Sequence, residues 1–209
     1  MTRNIKVRGN DKQSEPTDAS PLQCPSTNPG WSTTPCPGSF LTGFGGHTIV
    51  IGQGVGRLRG VEFARMGMTN VVGRYPVHFH HCEEGGKASS VEDCAVHHSF
   101  YRAITIHDTM QLQVSRNTIF DITGHAVYLE SGVEEFNRIE YNLAAHVHVI
   151  EGPVMMGGFH PPLPQSATIA VPADHTASGF YISNARKVAA TASHTQTPYS
   201  AARLHPLLP

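Results

Sequence analysis

Charge is scarce in this chain: 15% of its 209 residues are Asp, Glu, Lys or Arg, and 15 basic against 16 acidic side chains leave a formal charge of −1. So even a balance gives no electrostatic footprint for nucleic acid or an anionic membrane, and partners must be argued from sites. No apolar run reaches the roughly 18 residues that a spanning helix needs. The opening Met1-Thr-Arg-Asn-Ile-Lys-Val7 has no apolar core of the signal-peptide kind. Neither a membrane span nor a leader is therefore expected within this sequence, which reads as cytosolic or as a fragment. Cysteine is limited to Cys24, Cys36, Cys82 and Cys94, without CxxC spacing. The length gives one domain with a sizeable core, which excludes a disulfide-stapled miniprotein.

Glycine (20), proline (15) and histidine (14) are what the chain has in quantity. That composition suits a turn-rich β protein better than a helical bundle. Asn4-Ile-Lys-Val-Arg8 is a β-like piece, so residues 1–10 are expected to form a first strand. Residues 11–43 hold six prolines among Ser, Thr, Asn and Gly and are expected to be a long surface loop, in which Cys24 and Cys36 are close enough for a local disulfide. Cys82 and Cys94 are either buried thiols or a bridge closing the 83–90 loop. From Val188 the aliphatic pattern is lost, and 188–209 is expected to be a disordered tail.

Residues 44–187 repeat. Shifted by 23 positions, Val91 to His107 lies without gaps on Val114 to Glu130, with apolar matches at Val91/Val114, Val96/Ile119, Ile104/Val127 and Ile106/Leu129. The frame recurs upstream in Leu58 to Phe63 and Tyr75 to His80, and downstream in Ile139 to Ala144. Short alternating strands at a period in the low twenties, broken by Gly, Asn or Asp turns, predict an all-β fold, a right-handed parallel β-helix. Equivalent positions then stack at about 4.8 Å, alternately inward and outward.

With Val77, Ile104 and Val127 inward, His78/Thr105/Tyr128 is expected to be an exposed column, beside His80/His107/Glu130. Arg65/His98/Asp121 forms a third, and Tyr75/Arg102/His125 completes the patch. Glu130 stacked on His107 is an acid–base pair or an oriented metal ligand, because a carboxylate beside an imidazole raises its pKa and fixes its tautomer. His78 and His80 project from one strand face, and with His107 they make a candidate metal site. No stacked partner is derived for His81, His146 or His148, which read as structural. Asn117 and Asn142 occupy equivalent turn positions, where an inward amide ladder is expected.

The block Gly73-Arg-Tyr-Pro-Val-His-Phe-His80, with Gly60-Val-Glu-Phe-Ala-Arg-Met-Gly67 before it and His97 to His107 and Gly124 to Gly132 after it, resembles the β-helix region of the G8-domain family. That family includes the cell-migration-inducing hyaluronidase, its transmembrane relative and fibrocystin-L. The resemblance implies an extracellular protein or the ectodomain of a membrane protein. It also implies a uronate-containing polysaccharide such as hyaluronan as partner, bound or depolymerised, with calcium as the implied cation; the fibrocystin-L branch implies a non-catalytic scaffold instead. For a depolymerase the candidates are His107, Glu130, Asp121 and His80 for catalysis, with Arg102, His125, Tyr128, Arg74 and His98 for substrate binding.

Overall fold

The computed structural model describes residues 3–9, 45–68, 71–148, 155–156, 177–182, 188–191 and 194–196. Every strand pair is parallel. Sheet A stacks β1 (Ile5–Arg8), β4 (Val61–Ala64), β8 (Ala95–Ser99), β11 (Thr118–Thr123), β14 (Leu143–His148) and β18 (His194–Gln196). Sheet B stacks β3 (Arg57–Arg59), β7 (Ser90–Glu92), β10 (Gln113–Ser115), β13 (Arg138–Glu140) and β17 (Ala189–Thr191). Sheet C stacks β2 (Thr48–Ile51), β6 (Val77–Glu83), β9 (Ile104–Thr109), β12 (Val127–Leu129) and β16 (Phe180–Ile182). The chain visits C, B and A in turn and repeats, which is a parallel β-helix. A small extra pair, β5 (Val71–Val72) with β15 (Met155–Met156), joins two segments that both leave the helix between sheet A and sheet C.

The core is a set of stacked apolar columns: Phe63/Val96/Ile119/Ala144 in sheet A, Val91/Val114/Ile139 in sheet B, and Phe79/Ile106/Leu129 in sheet C, all buried. Each such aliphatic or aromatic side chain contributes roughly 1.5–3 kcal/mol by leaving water. Val91/Val114, Val96/Ile119, Ile104/Val127 and Ile106/Leu129 pair in the register the repeat predicts.

Corners are made by residues in the left-handed region. Gly60, Asp93, Arg116 and Tyr141 have φ of 64°, 56°, 55° and 58° and turn the chain from sheet B to sheet A, one per rung. A non-glycine residue there carries a steric cost, which the stacked hydrogen bonds Asp93 N–H to Ser115 O and Arg116 N–H to Glu140 O help to offset. Beside this corner stands the inward amide ladder. Asn117 Oδ1 accepts from Cys94 N–H at 2.9 Å, its Nδ2 donates to Val91 O at 2.9 Å and to Asn142 Oδ1 at 3.0 Å, and Asn142 Oδ1 also accepts Asn117 N–H.

One open alternative is decided and two expectations change here. Of the two states left open for Cys82 and Cys94, the structure has separate buried thiols, each directed at backbone carbonyls, and no bridge joins them. The stretch expected to be a disordered tail supplies β17 and β18, which continue sheets B and A. The column His78/Thr105/Tyr128 stacks as predicted but is buried, and so are Tyr75, Arg102 and His125. Alternation states which way a side chain points; it does not state what lies over it. The residues leading into sheet C fold back on its outer face as a second layer: the Tyr75 ring meets His78 edge-on at 4.8 Å, the Arg102 guanidinium lies 3.9 Å above the Tyr128 ring, and His125 stacks on Tyr128 at 5.0 Å. The proposed Cys24–Cys36 bridge and the 11–43 loop lie outside the described residues.

Candidate functional site

At the far edge of this second layer a polar chain runs from the interior to solvent. Arg102, 1% exposed, donates from Nη1 to the Tyr75 hydroxyl at 3.0 Å, and that hydroxyl donates to Glu130 Oε1 at 3.4 Å. Arg102 Nη1 is itself 3.8 Å from the same oxygen. The other Glu130 oxygen is 3.7 Å from His107 Nδ1, and His107 Nδ1 faces His80 Nδ1 at 3.0 Å. His78 completes the group behind them, its ring parallel to that of His107 at 6.4 Å. The elements explain the convergence. His80 and His107 are cross-strand partners on β6 and β9, while Glu130 follows β12 and is held by its own N–H to Ile106 O.

Burial sets the protonation states. The His78 imidazole is pushed down to about 3 by desolvation and by the facing His80 and His107. His80 is lowered by burial and then by His107, and His107 by burial and then by His81. Burial raises the Glu130 carboxyl against the opposing pull of Arg102. All three imidazoles therefore favour the neutral, electron-pair-donating form. One Nδ1 of the His80–His107 contact carries the hydrogen and the other accepts it.

One ligand nitrogen each from His78, His80 and His107 can be chosen so that all lie within 4.8 Å of one another. Three neutral imidazoles suit a borderline-soft ion of the zinc class. They do not suit calcium, which takes oxygen ligands, so the implied calcium does not fit this donor set.

The remaining candidates divide. Arg102, His125 and Tyr128 are sealed in the second layer and cannot touch a polymer directly. Arg74, before β6, is half-buried with Nη1 2.6 Å from His47 Nε2, a partner the sequence did not indicate. Asp121 and His98 lie on sheet A, with Asp121 Oδ2 3.6 Å from His98 Nε2. Asp121 thus belongs to another sheet from Glu130, and the two do not form a carboxylate pair about one bond. Sequence reasoning passed over His81, whose Nδ1 is 2.9 Å from Asp108 Oδ2, and over His146 and His148, which gather at Asp121. The signal was present: His146-Val-His148 has the same spacing as His78-Phe-His80.

The CEMIP β-helix family model matches residues 43–195. A G8 domain-containing protein of Dictyostelium discoideum is 44% identical over 148 residues, 70% of this chain and 13% of that protein. Protein rliB of the same organism is 45% identical over 143 residues, 68% of this chain and 12% of the relative. Mouse fibrocystin-L is 39% identical over 161 residues, 70% of this chain and 4% of the relative. The chain thus spans about an eighth or less of the length of these relatives. No solved structure matches it. Among the described residues, no helix is long and apolar enough to cross a membrane.

Proposed function

The chain belongs to the CEMIP β-helix family, and from that premise we propose that it is the ligand-handling β-helix of an extracellular protein, whose sheet C edge takes a uronate-containing polysaccharide such as hyaluronan. The observation that carries this reading is the stack of His80, His107 and Glu130 on successive rungs, partly open to solvent and backed by the buried Arg102–Tyr75 chain. A polymer laid across the rungs meets these groups in order, with Arg74 beyond the other end of the same strands.

The same groups can cleave by elimination. A neutral His107 takes the proton α to the uronate carboxylate, and the electron pair so released forms the carbon–carbon double bond as the glycosidic oxygen departs. That oxygen receives the proton of Glu130, whose carboxyl is raised by burial. Arg102 acts behind this step as a positioning residue, holding Glu130 through Tyr75. Hydrolysis by paired carboxylates is not supported, since Asp121 lies on another sheet. If His78, His80 and His107 hold a zinc-class ion, His107 serves as ligand instead of base, and chelation frees it for this step.

The second reading is a non-catalytic scaffold, favoured by the sealing of Arg102, His125 and Tyr128 away from solvent. Size-exclusion chromatography of labelled high-mass hyaluronan, incubated with the folded chain with and without chelator, separates the two. Progressive shortening that His107→Ala and Glu130→Gln abolish establishes the depolymerase. Co-elution of intact polymer, weakened by the same substitutions, establishes the scaffold. Neither shortening nor co-elution rejects a hyaluronan-type ligand.

A further inference from the structure

We propose a second metal site on the outer face of sheet A, in which Asp121, His146 and His148, with His98 as fourth donor, bind a divalent ion of the zinc class. Asp121 Oδ1 lies 2.6 Å from His148 Nε2 and 3.8 Å from His146 Nε2, while Oδ2 lies 3.6 Å from His98 Nε2. The ligand atoms of Asp121, His146 and His148 all lie within 4.8 Å of one another. In a tetrahedral zinc site with bonds of about 2.0–2.2 Å, donors stand about 3.3 Å apart. For Asp121, His146 and His148 the observed separations bracket that value, so small side-chain rotations are enough to admit the ion, while His98, close to Asp121 alone, has to swing in to complete the set.

The backbone builds this cluster. His98, Asp121 and His146 have φ of 47°, 52° and 57° at equivalent places on β8, β11 and β14, each a single left-handed residue between paired neighbours. That bend directs one side chain per rung outward into a column, and His148, opposite Thr123, enters from farther along β14. The surroundings are those of ligands rather than of a loose surface cluster. The Phe120 ring stacks on His146 at 5.6 Å and flanks His98 at 6.0 Å, forming an apolar wall. His98 Nδ1 is engaged by His97 Nδ1 at 2.7 Å, and His97 Nε2 lies 3.4 Å from Glu62. A carboxylate–histidine relay of this kind fixes the ring so that Nε2 is presented to the ion.

The donor set N3O excludes calcium and magnesium on hardness and favours zinc over them. The site shares no residue with the His78–His80–His107 group and is independent of the polysaccharide reading.

The test uses the full chain, stripped with chelator and titrated with zinc in competition with a chromophoric chelator, and with cobalt read by visible absorption. Asp121→Asn and His146→Asn remove ligands while keeping a residue that tolerates left-handed backbone; His148→Gln removes one at an ordinary strand position. The expected result is an intense tetrahedral cobalt spectrum, with a loss of at least about a hundredfold in zinc affinity for each variant at one equivalent. Glu62→Gln should weaken the same equivalent by roughly 10–100-fold, as loss of an outlying partner does. His80→Gln leaves this equivalent intact, which separates it from the other histidine group. The proposal is overturned if Asp121→Asn and His148→Gln bind zinc with the stoichiometry and affinity of the unaltered chain, or if that chain shows no tetrahedral cobalt signal.

Discussion

Sheet C and sheet A each carry a histidine cluster on the outer face of the same helix, built by the same stacking of rungs, yet the two live in different solvents. On sheet C the residues entering each strand fold back over it, so His78 is 2% exposed and its imidazole is pushed down to about 3. On sheet A nothing comparable among the described residues covers His146, whose side chain is 51% exposed. Register places side chains in columns, whereas the turns decide whether a column faces water. Chemistry that needs a desolvated, neutral imidazole belongs on sheet C, and an ion that must exchange with solvent is better received on sheet A.

The contrast is broken most severely at Arg102. Arg102→Ala removes the guanidinium from above the Tyr128 ring and from the Tyr75 hydroxyl, emptying the centre of the buried second layer; a loss of about 3–5 kcal/mol in urea unfolding at pH 7 is expected. A loss under about 1 kcal/mol would mean that the second layer does not hold the fold. Acid comes next. His78 has a folded pKa below its unfolded value, so the unfolded chain binds the extra proton: stability is complete above about pH 6.5 and falls as pH drops toward 3. Between pH 6.5 and 4.5 this single group contributes roughly 2–3 kcal/mol of loss. His78→Gln should flatten that part of the profile; a slope equal to that of the unaltered chain would refute the desolvation of this imidazole.

Tyr75→Phe deletes only the hydroxyl that links Arg102 to Glu130, and about 1–2 kcal/mol should disappear in the same unfolding assay. An unchanged midpoint would show that Arg102 and Glu130 pair without it. The smallest effect belongs to sheet A: in metal-free protein Asp121→Asn should shift stability by under about 1 kcal/mol, because its ion pairs are partly open to water. A larger loss would move sheet A toward the behaviour of sheet C.

The sequence disclosed the columns well. Pairing of Val91 with Val114 and of Ile106 with Leu129 follows from the 23-residue shift, and the Asn117–Asn142 ladder from its turn position. It did not disclose the covering of His78, Thr105 and Tyr128, because period-two alternation says nothing of the turn residues that pack above them. Nor did alternation find the meeting of His146 and His148 with Asp121. Left-handed residues at His98, Asp121 and His146 bend each strand and break its inward–outward alternation, which a strict count runs through unaware. Glu130 and Asp121 looked alike as carboxylates on neighbouring strands, and only the corner between β11 and β12 sets them on different faces.

The segments carrying β5 and β15 depart from the same corner of the helix, between sheet A and sheet C, and meet each other although the coils bearing β9 and β12 lie between them. Because each rung is closed by hydrogen bonds to the rungs above and below, chain added at this corner leaves their alignment undisturbed. The corner is thus the point at which chain can be added or removed while the stacked scaffold stays fixed.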